Sequence, residues 1–471
     1  MKIIGREKEK QELQRYYESP RPEFVAVCGR RRVGKTYLIK EFFENRFAFY
    51  FTGVVGAANA TQLANFDVVL QEYGSGDKAR SEDWFVAFSK LKKLLSSKTE
   101  NGRKVIFIDE LPWLDAPRSG FLSAFGYFWN TWASANPDIL LIVCGSATSW
   151  IEKKIFRDKG GLHNRVTGRI FLEPFSLGEC EAFFRDRSVV MNRYQILETY
   201  MIFGGIPYYL NFFNKGLSLP QNVDSLCFVK SAPLKNEYDE LYMSLFKNYE
   251  RHMKIAEVLS KKKSGMTRDE ITYASGIPAG GHLTAALTEL LQCGFIDTYN
   301  DFTKKKNGAY YRLIDSFTLF YLRFMQDNNS KDEYFWTNYI EDGGHRAWSG
   351  FAFEQICMLH ISQIKAKLGI TGVSTQTVSW RSKNADPGAQ IDLLIKRRDG
   401  VINLCEMKYT KHPYMIEKKE DENLHRRMAV FAGETKVNEA LHLTMITTYG
   451  VSKNGYFGSV QAEVTMDDLF S

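Results

Sequence analysis

Apolar and polar positions alternate in two different rhythms along this chain. Over the first 175 residues, short apolar runs occur at Phe24–Cys28, Phe47–Phe51, Val105–Ile108, Leu140–Cys144 and Ile170–Leu172, separated by polar, helix-permissive stretches. Strands covered on both faces read as continuous apolar runs, so this pattern predicts an α/β domain with a mainly parallel sheet. From about Glu179 to Phe246 the spacing turns helical, interrupted by Gly204-Gly205-Ile206-Pro207. Residues 247–315 then read helix, helix, helix, hairpin. Tyr249–Ser260 carries Ile255, Val258 and Leu259 on one face, and Thr267 caps a second helix. Gly276-Ile277-Pro278 marks a turn, and His282–Cys293 carries Leu283, Leu287, Leu290 and Leu291. Phe295–Tyr299 and Ala309–Leu313 are expected to pair as strands. Aromatic-rich helical text, Phe317 to Trp336, leads to a last region that mixes helix and strand, with joints at Asn328–Asp332 and Glu341–Gly344. The segments expected are 1–175, 176–246, 247–325, a linker over 326–344, and 345–471.

Length supports that division, because 471 residues exceed one ordinary domain. A hydrophobic fraction of 44% and a charged fraction of 25% are ordinary for a globular protein with a buried core. The net charge of +7 permits contact with nucleic acid without demanding it. Seven cysteines show no CxxC spacing and no zinc-finger neighbour, so reduced buried thiols are expected rather than a disulfide scaffold. The start of the chain is charged, and apolar runs such as Ile139 to Cys144 are too short to span a bilayer. The expectation is a cytoplasmic protein with no membrane partner.

Chemistry enters at the first strand. Phe24–Cys28 runs into Gly29-Arg30-Arg31-Arg32-Val33-Gly34-Lys35-Thr36 and then helical text, Tyr37–Glu44. Glycines let the backbone turn its N–H groups toward phosphate, and the helix N-terminus adds a positive dipole end. Lys35 is placed to reach β- and γ-phosphates, and the Thr36 hydroxyl to ligate Mg²⁺. Val105–Ile108 ends in Asp109 and Glu110. Asp109 suits a direct or water-mediated Mg²⁺ contact, and Glu110 suits orienting or deprotonating a water. The three consecutive cations Arg30, Arg31 and Arg32 are compatible with phosphate, DNA or an acidic partner surface.

These motifs resemble AAA+ and STAND-type P-loop ATPases, most of all the prokaryotic group typified by archaeal ATPases with a winged helix and a C-terminal nuclease-like domain. The resemblance implies ATP (and ADP after hydrolysis) with Mg²⁺ at the site. It implies that the Ile4-Gly5-Arg6-Glu7 phrase helps form the adenine pocket, and that Ser146, after Leu140–Gly145, is the sensor residue. It also implies that Arg165 and Arg169, in Asn164–Arg169, lie near the γ-phosphate. Gly205 and Pro207 match the GxP motif of a helical lid, which in that group packs near the nucleotide.

The helix–helix–helix–hairpin segment has the layout of a winged helix, with Lys304, Lys305 and Lys306 at the hairpin tip. Such a tip suits salt-dependent phosphate contact; the alternative is a segment that serves only as a lid and packing domain. Further on, Gln390–Ile395 and Ile402–Lys408 flank a turn. Glu406 and Lys408 are two apart and share a face. A two-residue loop, Asp399-Gly400, would set Asp392 opposite Met407. A three-residue loop, Arg398–Gly400 with Gly400 left-handed, sets it opposite Glu406. Gathering charges on one face is more economical than burying them separately, which favours the longer loop. Asp392, Glu406 and Lys408 then resemble the PD-(D/E)XK restriction-endonuclease-like site, to which Glu354 matches the acid often added by the first helix. That resemblance implies a divalent ion held by Glu354, Asp392 and Glu406 against a phosphodiester. The expected whole is an ATPase whose nucleotide state controls a nuclease-like domain acting on DNA. The rival is a STAND-type switch or scaffold whose C-terminal domain binds without cleaving, with a protein partner or homo-oligomer in play.

Overall fold

The computed structural model describes residues 2–99, 102–146, 148–157, 160–302, 309–326, 328, 332–339, 343–382 and 384–471. They form two compact units, Met1–Pro174 and Phe175–Ser471.

The first unit runs α1 (Glu7–Tyr17), β1 (Glu23–Gly29), α2 (Lys35–Phe42), β2 (Phe49–Thr52), α3 (Asn59–Glu72) and α4 (Trp84–Ser97). It continues through β3 (Lys104–Asp109), α5 (Phe121–Thr131), β4 (Ile139–Cys144), α6 (Thr148–Ile151) and β5 (Gly168–Leu172). The sheet order is β2-β3-β4-β1-β5, and every pairing is parallel. All residues of β1 and β4 are buried, as continuous apolar runs require. One face packs an aromatic cluster in which Trp84 sits edge-on to Phe66 and Phe121. Parallel pairing brings the carboxyl ends of β1, β3 and β4 to one edge, where α/β sheets place their ligands. Because β4 lies between β1 and β3, the residues after it fall between the glycine-rich loop and the acidic strand end.

The second unit begins with α7 (Leu177–Asp186), α8 (Arg193–Phe203), α9 (Pro207–Leu210), α10 (Leu219–Cys227) and α11 (Glu237–Leu245). Then come α12 (Tyr249–Ser260), α13 (Arg268–Ser275), α14 (Gly281–Gln292) and the antiparallel hairpin β6 (Ile296–Tyr299) and β7 (Tyr310–Leu313). A bridge from Met266 to Tyr311 adds to this hairpin. Next follow α15 (Ser316–Phe320), α16 (Phe335–Tyr339), α17 (Gly343–Leu359), α18 (Ile361–Lys367), β8 (Thr375–Arg381), β9 (Gln390–Arg397) and β10 (Val401–Lys408). The chain closes with α19 (Lys418–Thr435), β11 (Ala440–Thr447) and β12 (Ala462–Thr465). The second sheet is mixed, in the order β12-β11-β10-β9-β8, antiparallel from β8 to β10 and parallel from β10 to β12. Capping boxes written in the sequence start α7 (Ser176, Glu179), α8 (Asn192, Gln195), α10 (Ser218, Gln221) and α13 (Thr267, Glu270). Each is worth about 1 kcal/mol of helix stability.

The five segments read from the sequence therefore fold as two units. The helices of 176–246 are built into the same unit as the C-terminal sheet. The Leu177 N–H donates to His360 Nε2 at 3.1 Å, and His360 Nδ1 donates to the Ile356 carbonyl at 2.9 Å. Tyr194 of α8 stacks against Tyr409 at 5.4 Å and Tyr449 at 5.8 Å, and the Tyr409 hydroxyl donates to Glu198 at 3.0 Å. Apolar periodicity reveals that a helix has a buried face but not which element covers it, so the pattern does not disclose this joining. Lys304, Lys305 and Lys306 lie outside the described residues, as does part of the 326–344 segment.

Candidate functional site

At the first unit's sheet edge, Gly29 ends β1 at φ +142°, pressed so close to the Leu172 carbonyl that an added Cβ would lie 2.3 Å from its oxygen. Gly34 precedes α2 at φ +91°, a left-handed turn that a side chain would strain even though nothing crowds it. Between them Val33 is buried, and its carbonyl accepts from Arg6 Nη2 at 3.2 Å. Arg6 Nη1 also donates to the Glu173 carbonyl at 2.7 Å. The phrase before the first helix thus braces the loop. Thr148 on α6 is buried, and its hydroxyl reaches the Gly29 carbonyl at 3.4 Å. Arg30 is buried, while Arg31 and Arg32 are partly exposed.

Lys35 opens α2 and is buried, its ammonium donating to the Gly29 carbonyl at 2.9 Å and the Arg30 carbonyl at 2.8 Å. The Thr36 hydroxyl donates to Asp109 Oδ2 at 2.7 Å. Asp109 Oδ1 accepts from the Glu110 N–H at 2.9 Å and from the Cys144 thiol. Burial, then the Asp109 charge, push Cys144 far above the ordinary thiol range, so it stays a protonated donor. Glu110 takes a left-handed backbone, φ 48°, and its Oε1 accepts from the Ser146 hydroxyl at 2.7 Å. The structure therefore brings Lys35, Thr36, Asp109, Glu110 and Ser146 together.

Arg165 and Arg169 are exposed, and Arg169 lies over the Phe156 ring at 4.0 Å. Gly205 and Pro207 belong to the second unit. Gly205, at φ +68°, lies against the Phe175 carbonyl, whose oxygen would be 2.2 Å from an added Cβ, and Pro207 is the first residue of α9.

In the second unit, β9 and β10 pair as Lys396 with Ile402, Ile395 with Asn403, Leu394 with Leu404, and Leu393 with Cys405. This is the register of the three-residue loop, and Gly400 has φ +86°. The recorded pairing ends at Leu393 and Cys405; continued one step, the same register would set Asp392 opposite Glu406, on the face that Lys408 shares. Glu354 comes from α17. Burial, and next the nearby Asp392, raise its carboxyl to about 7, with Glu406 adding to the push and Lys263 opposing it. Glu354 thus lies close enough to Asp392 and Glu406 to feel their charge.

They do not, however, form a ready-made ion site: among the described residues, no group of three potential ligands is arranged to hold a metal ion. The reason is visible at Glu406. Its Oε1 pairs with Lys408 Nζ at 3.0 Å and its Oε2 with Arg427 Nη1 at 3.0 Å. Lys408 also pairs with Glu420 at 3.0 Å. Burial pulls Lys408 down, but Glu406, Tyr414 and Glu420 outweigh it and hold the ammonium above its usual range. Asp392 accepts from Gln390 Nε2, and Gln390 accepts from Arg381 Nη2 at 2.8 Å. No motif in the sequence singles out Arg427 or Glu420. Their spacing of seven on a helical stretch, which puts them on one face, is the signal it offers.

All seven cysteines are buried and free. Among the described residues, no helix is long and apolar enough to cross a membrane.

Residues 3–213 match the model of an ATPase domain found predominantly in Archaea. The N-terminal part of the chain is thus an ATPase domain of the archaeal type. The uncharacterized protein MJECL04 of Methanocaldococcus jannaschii is 28% identical over 368 residues, covering 75% of this chain and 76% of its own. Among solved structures, the Walker-type ATPase PABY2304 of Pyrococcus abyssi is 18% identical, covering 68% of this chain and 96% of its own, with a TM-score of 0.48. The ORC2 protein of Aeropyrum pernix, solved as ADPNP-ADP complexes, is 14% identical, covering 68% and 93%, with a TM-score of 0.44.

Proposed function

We propose that this protein binds and hydrolyses ATP with Mg²⁺ at the Gly29–Thr36 loop, and that its nucleotide state governs a nuclease-like C-terminal domain acting on DNA. The observation that carries the first half is the Thr36–Asp109 hydrogen bond of 2.7 Å, with the Lys35 ammonium in the same loop. A hydroxyl on a carboxylate, beside a lysine and a glycine-rich turn, is the donor set that a magnesium nucleotide needs. Mg·ATP, when bound, supplies an electrophilic phosphorus and a divalent charge.

The chain's own residues do the rest. Lys35 exchanges two loop carbonyls for phosphate oxygens. Thr36 and Asp109 hold the metal, directly or through water. Glu110 orients a water and takes its proton, and Ser146 fixes the carboxylate that does so. Arg165 and Arg169 are proposed to stabilise charge at the γ-phosphate, and Gly205 and Pro207 to belong to a lid that responds to the nucleotide. Arg30, Arg31 and Arg32 add positive charge to the loop.

For the second half, the support is the three-residue-loop register of β9 and β10, which when continued one step would set Asp392 opposite Glu406 with Lys408 on the same face, and the effect of both acids on Glu354. The donors suit a divalent ion by chemistry, and such an ion would activate water against a phosphodiester. Glu406 must first leave Lys408 and Arg427 before it can serve as a ligand. The segment α12–β7 is read as a winged helix, with Lys304–Lys306 offered to phosphate. The test is incubation of the purified protein with duplex and single-stranded DNA and Mn²⁺, with and without ATP. Cleavage that disappears in Asp392→Ala, while ATP hydrolysis persists, supports the reading.

A second reading is favoured by the two ion pairs that occupy Glu406. In it the chain is a STAND-like switch whose C-terminal domain binds DNA or a protein without cutting. Slow ATP turnover with no cleavage under any metal would select it.

A further inference from the structure

Resting on the reading of the C-terminal acids as a metal-dependent phosphodiester site, we infer that the β6–β7 hairpin is a cover over that site. Arg312 is the cation it carries to that site, and the cover must lift before a divalent cation or a phosphodiester enters.

The hairpin is docked on the open edge of the second sheet. The Phe302 N–H donates to the Ser379 carbonyl at 2.9 Å, and the Ser379 N–H donates to the Asn300 carbonyl at 3.3 Å. Asp301 and Ser379 form a parallel bridge. The segment thereby occupies main-chain groups of β8 that an edge strand otherwise leaves unpaired. The Phe302 ring stands edge-on to Phe431 at 5.1 Å, and Phe431 packs on Trp380 at 5.2 Å. A small set of contacts therefore fixes the hairpin to the sheet, and none of them involves the acids.

Beneath it, the space is too small for substrate. Tyr299, Tyr310 and Arg312 of the hairpin face Arg381, Gln390 and Asp392 of the sheet across a cavity of about 20 Å³. That volume takes about one water; a phosphodiester with its flanking sugars does not fit.

Arg312 lines that cavity together with Asp392. Its guanidinium lies 5.3 Å from the Tyr299 ring centroid, and its Nε is sealed from solvent with no hydrogen-bond partner among the described residues. Burial holds the guanidinium below its usual range, against the opposing pull of Tyr299, Asp392, Asp297 and Glu354. A buried arginine facing acids supplies the positive charge that a divalent ion would otherwise bring. With Arg312 lining the cavity, and Glu406 held by Lys408 and Arg427, an entering ion meets a cation beside Asp392 and an already occupied Glu406. Moving the hairpin removes Arg312 and opens the cavity in one motion.

The test is Mn²⁺ binding to the full chain by calorimetry, counting only the binding lost on Asp392→Asn. Phe302→Ser loosens the cover without touching the acids. If the open form of the wild type is no more than about a tenth of the population, the variant should bind Mn²⁺ about tenfold tighter or more. A second pair, Asp301→Cys with Ser379→Cys, ties the hairpin down. Asp301 and Ser379 sit opposite one another across the bridge, so the introduced thiols are neighbours, while the native cysteines are all buried. Oxidation should abolish Asp392-dependent Mn²⁺ binding and reduction should restore it. Equal Asp392-dependent affinity in wild type, Phe302→Ser and the oxidised pair would overturn the cover and leave the metal reading standing. Absence of such binding in every cooperatively folded form would overturn the metal reading, and the cover with it.

Discussion

Both candidate sites place acids at the ends of sheet strands, yet they treat charge in opposite ways. In the first unit, the Lys35 ammonium rests on two neutral carbonyls, Gly29 and Arg30. In the second unit, Glu406 is held by two full charges, Lys408 and Arg427, and Lys408 is shared with Glu420. A bond to a neutral carbonyl is readily exchanged for a phosphate oxygen, because a bond in which both partners are charged is the stronger one. Separating a partly buried ion pair leaves uncompensated charge and costs several times more. The nucleotide site is poised for its ligand, whereas the C-terminal site is satisfied by its own side chains and requires something to disturb them.

The largest expected effect tests the poised half. Lys35→Ala removes the only side-chain ammonium among Gly29–Thr36. Two charge-assisted bonds to phosphate, at about 2 kcal/mol each, correspond to an affinity loss of about 10³-fold. Titration with a fluorescent ATP analogue measures it, and wild-type affinity in the variant would remove Lys35 from the site.

Glu110→Gln should act next most strongly, and on rate alone. The carboxamide keeps the shape and can still accept from Ser146, but it cannot take a proton. Turnover should fall by about 10²-fold or more, the size of a lost general base, with nucleotide binding preserved. Unchanged turnover would assign the proton to another group and reduce the Glu110–Ser146 contact to a structural one.

The two sites also differ in how well the sequence discloses them, for a physical reason. The nucleotide site is local: Gly29 to Thr36 is one turn between one strand and one helix, and Asp109 and Glu110 follow a single apolar run. Backbone geometry alone brings them to one sheet edge. The β9–β10 register is equally legible, because loop length fixes the pairing of a hairpin. What the sequence hides is the set of side chains that neutralise the acids. Arg427 comes from α19 and Arg312 from β7, and only the fold brings either of them to the acids of β9 and β10. The helices of 176–246 are read from the sequence as a segment of their own, and α8 is tied to Tyr409 at the end of β10 within the second unit. Amphipathic spacing marks a face as buried and carries no information about its partner.

The smallest effect sharpens the comparison from the other side, by asking whether the C-terminal cluster strains the unit that contains it. Burial and the neighbouring Asp392 raise Glu354 from 4.5 to about 7. Between those values the folded state keeps a proton that the unfolded state has released. Stability therefore falls as pH rises through this window, and levels off once the folded carboxyl has also ionised. Glu354→Gln is neutral at every pH and removes that slope. The variant should match the wild type near the acidic end and exceed it above pH 7. A full shift of this size would be worth about 3 kcal/mol, and partial access to solvent reduces the expected gain to about 1–2 kcal/mol. Denaturant titration of the second unit's transition, run at acidic and at alkaline pH, reads the difference directly. A gain confined to alkaline pH marks Glu354 as a carboxylate held in an unfavourable place, which is what a ligand-awaiting acid looks like before its ion arrives. Equal destabilisation at both ends would show that Glu354 is an ordinary packing residue, and the contrast between the two sites would then rest on Glu406 alone.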